Sequence, residues 1–217
     1  NPVIPEAGKL CPALDPRVNA VQVERISPAR AAALRGLIQS AVPGTIFLLE
    51  PGVYPITEAL QMNTPGIGIA SSTGRRDDVV LDGNYSGGSI IEVSAKNVTI
   101  ANLTLRHSFH HLIHFVDNGI GGLVYNVKLE DGRQQFIKSS SFTTASDSVE
   151  VACSEFQLTS PGRSQVDSES SDCYTGGIDA HRSRGWWVRD NKFQDIYCTN
   201  GGLAEHAVHF WNSSRDT

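Results

Sequence analysis

The feature that most constrains this chain is a repeat. Six short segments align, IGIA from Ile67, IEVS from Ile91, IHFV from Ile113, IKSS from Ile137, IDAH from Ile178 and VHFW from Val208, at intervals of 24, 22, 24, 41 and 30 residues. A second series keeps step: IANLTL from Ile100, VYNVKL from Val124, VACSEF from Val151 and VRDNKF from Val188 each start 9 to 14 residues behind one of those strands. A period near 23 is too short for a propeller blade, and the LxxLxLxxN pattern of a leucine-rich repeat is absent. It suits a parallel β-helix, in which each coil of two or three short strands climbs one strand spacing, roughly 4.8 Å, and pairs with the coils above and below.

In such a fold like positions stack. Asn102, Asn126, Cys153 and Asp190 share one position of the second series and are expected to form a turn ladder whose side chains bond the backbone of the next coil. The sequon at Asn102 then reads as structural; others start at Asn84, Asn97 and Asn212. The 41-residue interval holds about 18 surplus residues around TSPGRSQVDSESSDCYTGG, an inserted loop. Ahead of the repeat, Ser27 as N-cap, Pro28 at N1 and the face Leu34, Leu37 and Ile38 predict a short helix ending at Pro43-Gly44. The expected organisation is an extension over 1–26, a capping helix over 27–44, and an all-β parallel β-helix of six to seven coils over 45–217. The last aligned strand starts at Val208 and the sequence stops nine residues later, so the reading expects a partner, the remainder of the same β-helix as a separate or cleaved chain.

Composition removes other classes. Lys and Arg number 18 against 23 Asp and Glu, and the basic residues are scattered, which gives a nucleic acid no stripe to follow. The longest apolar runs, such as Ile46 to Leu49, fall far short of the roughly 20 residues of a membrane helix. The Asn-Pro-Val opening and four cysteines without CxxC spacing suggest a secreted or periplasmic protein with two disulfides. Cys173 and Cys198 are the best-placed pair; Cys153 reads as a buried ladder residue, and Cys11 has no obvious mate.

Alternation then defines an outer face. If Ile91, Ile113, Ile137, Ile178 and Val208 point inward, Glu92, His114, Lys138, Asp179 and His209 point outward, followed two residues on by Ser94, Val116, Ser140, His181 and Trp211. His110, His111, Gln134, Gln135, Glu205 and His206 lie just ahead of the strands. Six of the seven histidines thus fall on one flank of one sheet, a concentration that points to a site. Lys138, between His114 below and Asp179 above, has the makings of a proton-transfer group. Protonated histidines would make the face locally cationic. Arg133, Arg182 and Arg184 are candidates to grip a substrate carboxylate, and Trp211, Trp186 and Trp187 to stack on sugar rings. Asp167, Glu169 and Asp172 could supply oxygens to Ca²⁺, the competing reading being a solvated acidic loop.

The helix followed by PGTIFLLEPGVYPI, then NVTIANLTL and coils of the IHFV and IKSS type, resembles the right-handed parallel β-helix proteins of the pectate-lyase-like superfamily. DGRQQFIKS and GGLAEHAVHFW resemble secreted bacterial NosD-like and alginate-lyase-like repeats. The polygalacturonase set NTD, DD, GHG and RIK, the pectin methylesterase segments QAVAL and DFIFG, and the pectate lyase WIDH segment are all missing. FIKS around Lys138 is similar to the Lys-Ser strand of chondroitinase B and alginate-type lyases, which use a lysine base with an arginine and Ca²⁺. That resemblance implies a secreted lyase acting on an acidic polysaccharide by β-elimination, with calcium as an allowed cofactor. Lys138 would be the base, helped by His114; His181 or His209 the acid; and Arg133, Gln134 and Gln135 would neutralise the carboxylate. His110, His111, Arg182, Glu205, His206 and Trp211 complete the substrate-binding set. The alternatives are a non-catalytic glycan-binding or adhesion β-helix, and a glycoside hydrolase using Asp179 and Glu205 as paired carboxylates.

Overall fold

A computed structural model describes residues 11–166 and 173–211, and it is a right-handed parallel β-helix. Three sheets, all parallel, form its walls. The first has seven strands: Gln22–Ile26, Thr45–Leu49, Gly68–Ser71, Thr99–Ala101, Leu123–Tyr125, Glu150–Ala152 and Trp187–Arg189. The second has six: Gly52–Pro55, Val79–Ser86, Thr104–Ser108, Lys128–Glu130, Glu155–Gln157 and Lys192–Gln194. The third also has six: Leu60–Met62, Ile91–Val93, Ile113–Phe115, Ile137–Ser140, Ile178–His181 and Val208–Trp211. From Thr45 onward the chain visits the sheets in that order, coil after coil. Inward side chains stack into one continuous core, as in the run Phe136, Phe156 and Phe193, whose ring centroids are 6.4 and 4.4 Å apart. No helix among the described residues is long and apolar enough to cross a membrane.

One rung of the sequence alignment is corrected. Ile69 pairs with Ile100, so IGIA belongs to the first sheet, and the true neighbour of Ile91 is Leu60. The eight-residue strand Val79–Ser86, whose register slips between Asp82 and Ser86, lengthens this coil and lets a wrong pairing mimic the period.

The turn ladder exists and has a backbone cause. Asn102, Asn126, Cys153 and Asp190 have φ of 55°, 51°, 56° and 54°, the left-handed region that Asn and Asp tolerate best. Its side chains bond differently from expectation: Asn126 Nδ2 donates to Asn102 Oδ1 at 2.9 Å, and Asn102 Nδ2 to the Leu14 carbonyl at 3.1 Å. Cys153 is no free ladder residue, because it is disulfide-bonded to Cys11. The segment after Cys11 lies across the outer face of the first sheet. There Ile46, Leu48, Ala70, Ala101, Tyr125 and Ala152 form an apolar stripe with Leu14 and Ala20 packed on it, and Tyr125 Oη donates to the Pro12 carbonyl at 2.6 Å. Cys173 and Cys198 form the second bridge, as the spacing suggests.

The N-terminal end of the cylinder is closed by a 3₁₀ turn, Pro28–Ala33, running into the α-helix Leu34–Gln39. Leu34 and Ile38 are fully buried, Leu37 only partly, and Ser27 makes no side-chain cap bond. Gln22–Ile26 pairs with Thr45–Leu49, so the first rung precedes the helix. The inserted loop opens with a helical turn, Ser160–Arg163, capped by the Thr159 side chain. Asp167, Glu169, Asp172 and the Asn212 sequon lie outside the described residues.

Candidate active site

The third sheet carries the polar column that alternation predicts. Gln61, Glu92, His114, Lys138, Asp179 and His209 are successive register partners, and Ser140, His181 and Trp211 form a second column beside them. Gln61 escaped the sequence reading because its strand was displaced by IGIA; the alternation of LQM matches that of IEV and was the available signal.

Lys138 is the centre. Its Nζ donates to Asp179 Oδ2 and stands 3.1 Å from His181 Nε2, while His181 Nε2 is 3.0 Å from the same Asp179 oxygen. The Lys138 and Asp179 side chains are 9% and 6% exposed. Opposite charges withdrawn from water in this way interact far more strongly than a surface pair. Asp179 Oδ1 is buried and accepts no hydrogen bond, although His209 Nδ1 lies 3.2 Å away. One carboxylate therefore touches three nitrogen groups and keeps lone pairs to spare.

Burial disfavours the charged form of three imidazoles, those of His111, His114 and His181. His114 is pushed down to about 4, chiefly by burial, with Lys138 and His110 acting in the same direction and Glu92 against them. His111 is driven well below its ordinary value by complete burial, then by His114. Its Nδ1 is 2.9 Å from the Gln135 carbonyl, which can only accept, so that nitrogen carries the proton. Burial also lowers His181, against the pull of Asp179. At these three histidines desolvation is the largest influence and opposes protonation, the condition on which the sequence makes this face cationic. His114 Nε2 meets Ser140 Oγ at 2.6 Å, and the rings of His206 and His209 lie 3.9 Å apart.

Other candidates are placed elsewhere or engaged. Arg133 donates to the Gln165 carbonyl at 2.8 Å and covers the Phe109 ring at 4.3 Å. Arg182 donates to the Phe142 carbonyl at 2.9 Å, and Arg184 pairs with Asp147 at 3.4 Å. All three guanidinium groups brace loops. Gln135 is buried and its Nε2 reaches Glu205 Oε2 at 2.7 Å, so Glu205 is already a partner in a bridge. His110 is exposed beside Phe109, their rings 5.0 Å apart. Trp211 is exposed with its ring 4.7 Å from that of His181. Trp186 packs against Phe115 and Phe210 and donates to the Ser146 carbonyl, partly buried against the core, whereas Trp187 is exposed under Arg189.

Calcium does not fit this centre. The ion takes six to eight oxygens, whereas the donors about Lys138 are mostly nitrogens and the one carboxylate among them is bound to an ammonium. Among the described residues no group of three or more His, Cys, Asp or Glu is arranged to hold a metal.

No family model and no curated protein matches the chain. Solved structures do. A pectate lyase aligns with TM-score 0.59 at 13% identity, covering 91% of this chain and 57% of its own. An alginate lyase from Paenibacillus sp. str. FPU-7 aligns at 0.51 and 12%, covering 87% and 72%. A rhamnogalacturonan lyase aligns at 0.53 and 8%, covering 80% and 56%. This chain thus spans little more than half the length of the pectate and rhamnogalacturonan lyases. At these identities the likeness is one of fold: the protein has the parallel β-helix architecture on which those lyases are built.

Proposed function

We propose that the protein is a secreted polysaccharide lyase that cleaves an acidic, uronate-containing polysaccharide by β-elimination. The observation that carries this reading is the Lys138–Asp179–His181 triangle on the outward face of the third sheet, with Lys138 and Asp179 buried and His181 partly exposed. The same fold in three lyases supports it, and two disulfides support an oxidising compartment.

The triangle can generate base and acid together. Passing one proton from the Lys138 ammonium to His181 Nε2 leaves a neutral amine and an imidazolium held by Asp179, with no change in net charge. The amine takes the proton α to the uronate carboxyl. The freed electron pair forms the carbon–carbon double bond, and the bond to the leaving oxygen breaks as that oxygen takes the proton from His181. Lys138 ends protonated and His181 neutral, which is the starting state. His114 and His209 flank the pair and offer N–H groups to the substrate carboxylate.

Incubation with pectate, alginate and other uronate polymers should produce unsaturated ends, read as absorbance near the ultraviolet edge. Lys138→Ala should lower kcat at least about a hundredfold. It also strands the Asp179 carboxylate, so rates are compared on protein shown to be folded by circular dichroism. Wild-type rates from that variant would overturn the mechanism. Binding without turnover would favour the adhesion reading, and reducing ends without unsaturation the hydrolase.

A further inference from the structure

The loop after the Lys138 strand presents a bare aromatic ring on a rigid mount. Phe142 is 81% exposed. A single exposed apolar residue on a loose loop needs no explanation, but this backbone is pinned. The Asp117 carboxylate accepts from the N–H groups of Phe142, Thr143 and Thr144 at 2.7, 2.9 and 3.1 Å, and from Thr143 Oγ1 at 2.8 Å. Arg182 donates to the Phe142 carbonyl at 2.9 Å, and Ser146 Oγ ties the loop's far end to the Val116 carbonyl at 2.8 Å. None of these bonds buries the ring; all fix the backbone that carries it.

The ring also stands beside the site. Phe142 lies two residues beyond Ser140, which meets His114 and is in register with His181 and Trp211. Arg182, next to His181, joins both aromatics: its side chain holds the Phe142 carbonyl and its N–H donates to the Trp211 carbonyl at 3.3 Å. Trp211 is itself 51% exposed. The two residues that carry these exposed rings therefore have their backbones at one edge of the Lys138 sheet within two rungs, on the order of 10 Å along the axis. Aromatic faces take the apolar face of a pyranose ring, and a platform ordered beforehand loses little entropy on binding.

We propose that Phe142, together with Trp211, is a sugar-stacking platform that holds a ring of the acidic polysaccharide adjacent to the one cleaved at Lys138, and that Asp117 is the positioning residue that fixes it. The identity of the ligand rests on the lyase reading; the platform itself does not. The test is calorimetric titration of hexagalacturonate and of a mannuronate–guluronate hexamer into wild type, Phe142→Ala, Phe142→Trp, Asp117→Ala and the Phe142→Ala/Asp117→Ala double variant, with KM and kcat on the matching polymers. Phe142→Ala should weaken binding and raise KM by roughly tenfold with kcat unchanged, with an unaltered melting temperature because the ring is exposed. Phe142→Trp should restore binding. Asp117→Ala should weaken it less, and the double variant should be no weaker than Phe142→Ala alone. Equal hexamer affinity for wild type and Phe142→Ala overturns the platform, whatever the activity. Weakened binding with no unsaturated product from any polymer keeps the platform and removes the lyase. No binding of either hexamer by wild type removes both.

Discussion

Two outward faces of one cylinder are built in opposite ways. The first sheet presents Ile46, Leu48, Ala70, Ala101, Tyr125 and Ala152, and the chain covers them with its own segment after Cys11. The third sheet presents Gln61, Glu92, His114, Lys138, Asp179 and His209, and their neighbours in the columns shield the central pair. An outward apolar rung needs a lid, because exposed stripes of that size invite association. An outward polar rung can satisfy itself along the stack, and in doing so it desolvates whatever charge lies in the middle. The comparison predicts that damage to the covered face costs stability and spares chemistry, whereas damage to the open face changes protonation and rate.

The largest expected effect is on the covered face. The Cys11–Cys153 bridge spans 142 residues and the Cys173–Cys198 bridge 25. Loop-closure entropy assigns the first up to about 5 kcal/mol and the second roughly 3.5 kcal/mol. Cys11→Ala/Cys153→Ala should therefore lower the urea midpoint more than Cys173→Ala/Cys198→Ala, with kcat unchanged in the first. If the long bridge proves the cheaper to lose, the segment after Cys11 is not what secures the first face.

How much of this was legible depended on whether a feature repeats. The fold followed from the period, the column from Glu92 to His209 followed from alternation, and the ladder followed from Asn and Asp recurring where the backbone is left-handed. The pairing of Cys11 could not be read, because the contact joins remote segments and repeats nowhere. Rung assignment failed at IGIA because Val79–Ser86 carries extra residues. Sequence offered Trp186 and Trp187 alike as stacking residues, because the left-handed residues Arg182 and Gly185 interrupt alternation just before them and leave no phase to tell which one faces outward. Charge state was hidden too: His114 and Lys138 look like a cationic pair in sequence, and only burial shows the imidazole to be neutral. Phe142 sits in a loop, where no period exists to mark it.

On the open face the comparison sharpens into a pH dependence. His114 titrates near 4 when folded and near 6.5 when unfolded, so between these values the unfolded chain binds more protons. Its contribution is complete above pH 6.5 and is lost as pH falls through 4; the full difference is roughly 3–3.5 kcal/mol. His111 and His181 are lowered as well and act in the same direction. Asp82 and Asp117, also lowered, lose their share only below the ordinary carboxylate range near 3.8, outside this window. Urea midpoints measured from pH 7.5 to 4.5 should fall steadily, and His114→Gln should flatten the slope. A wild-type midpoint that stays level across that interval would mean the open face does not hold its imidazoles neutral.

The smallest effect tests whether the two faces are independent. Tyr125→Phe removes one hydroxyl that donates to the Pro12 carbonyl from the covered face. The loss should be about 1 kcal/mol in urea melts, the net worth of one hydrogen bond, because the ring stays buried and water can reach the freed carbonyl. In the Cys11→Ala/Cys153→Ala background the same substitution should cost less, since the loosened segment no longer holds Pro12 against the tyrosine. The pH slope assigned to His114 should be the same in every one of these variants. A slope that changes with Tyr125 would show that the covered face reports through the core to the open one, and that the two cannot be treated as separate devices.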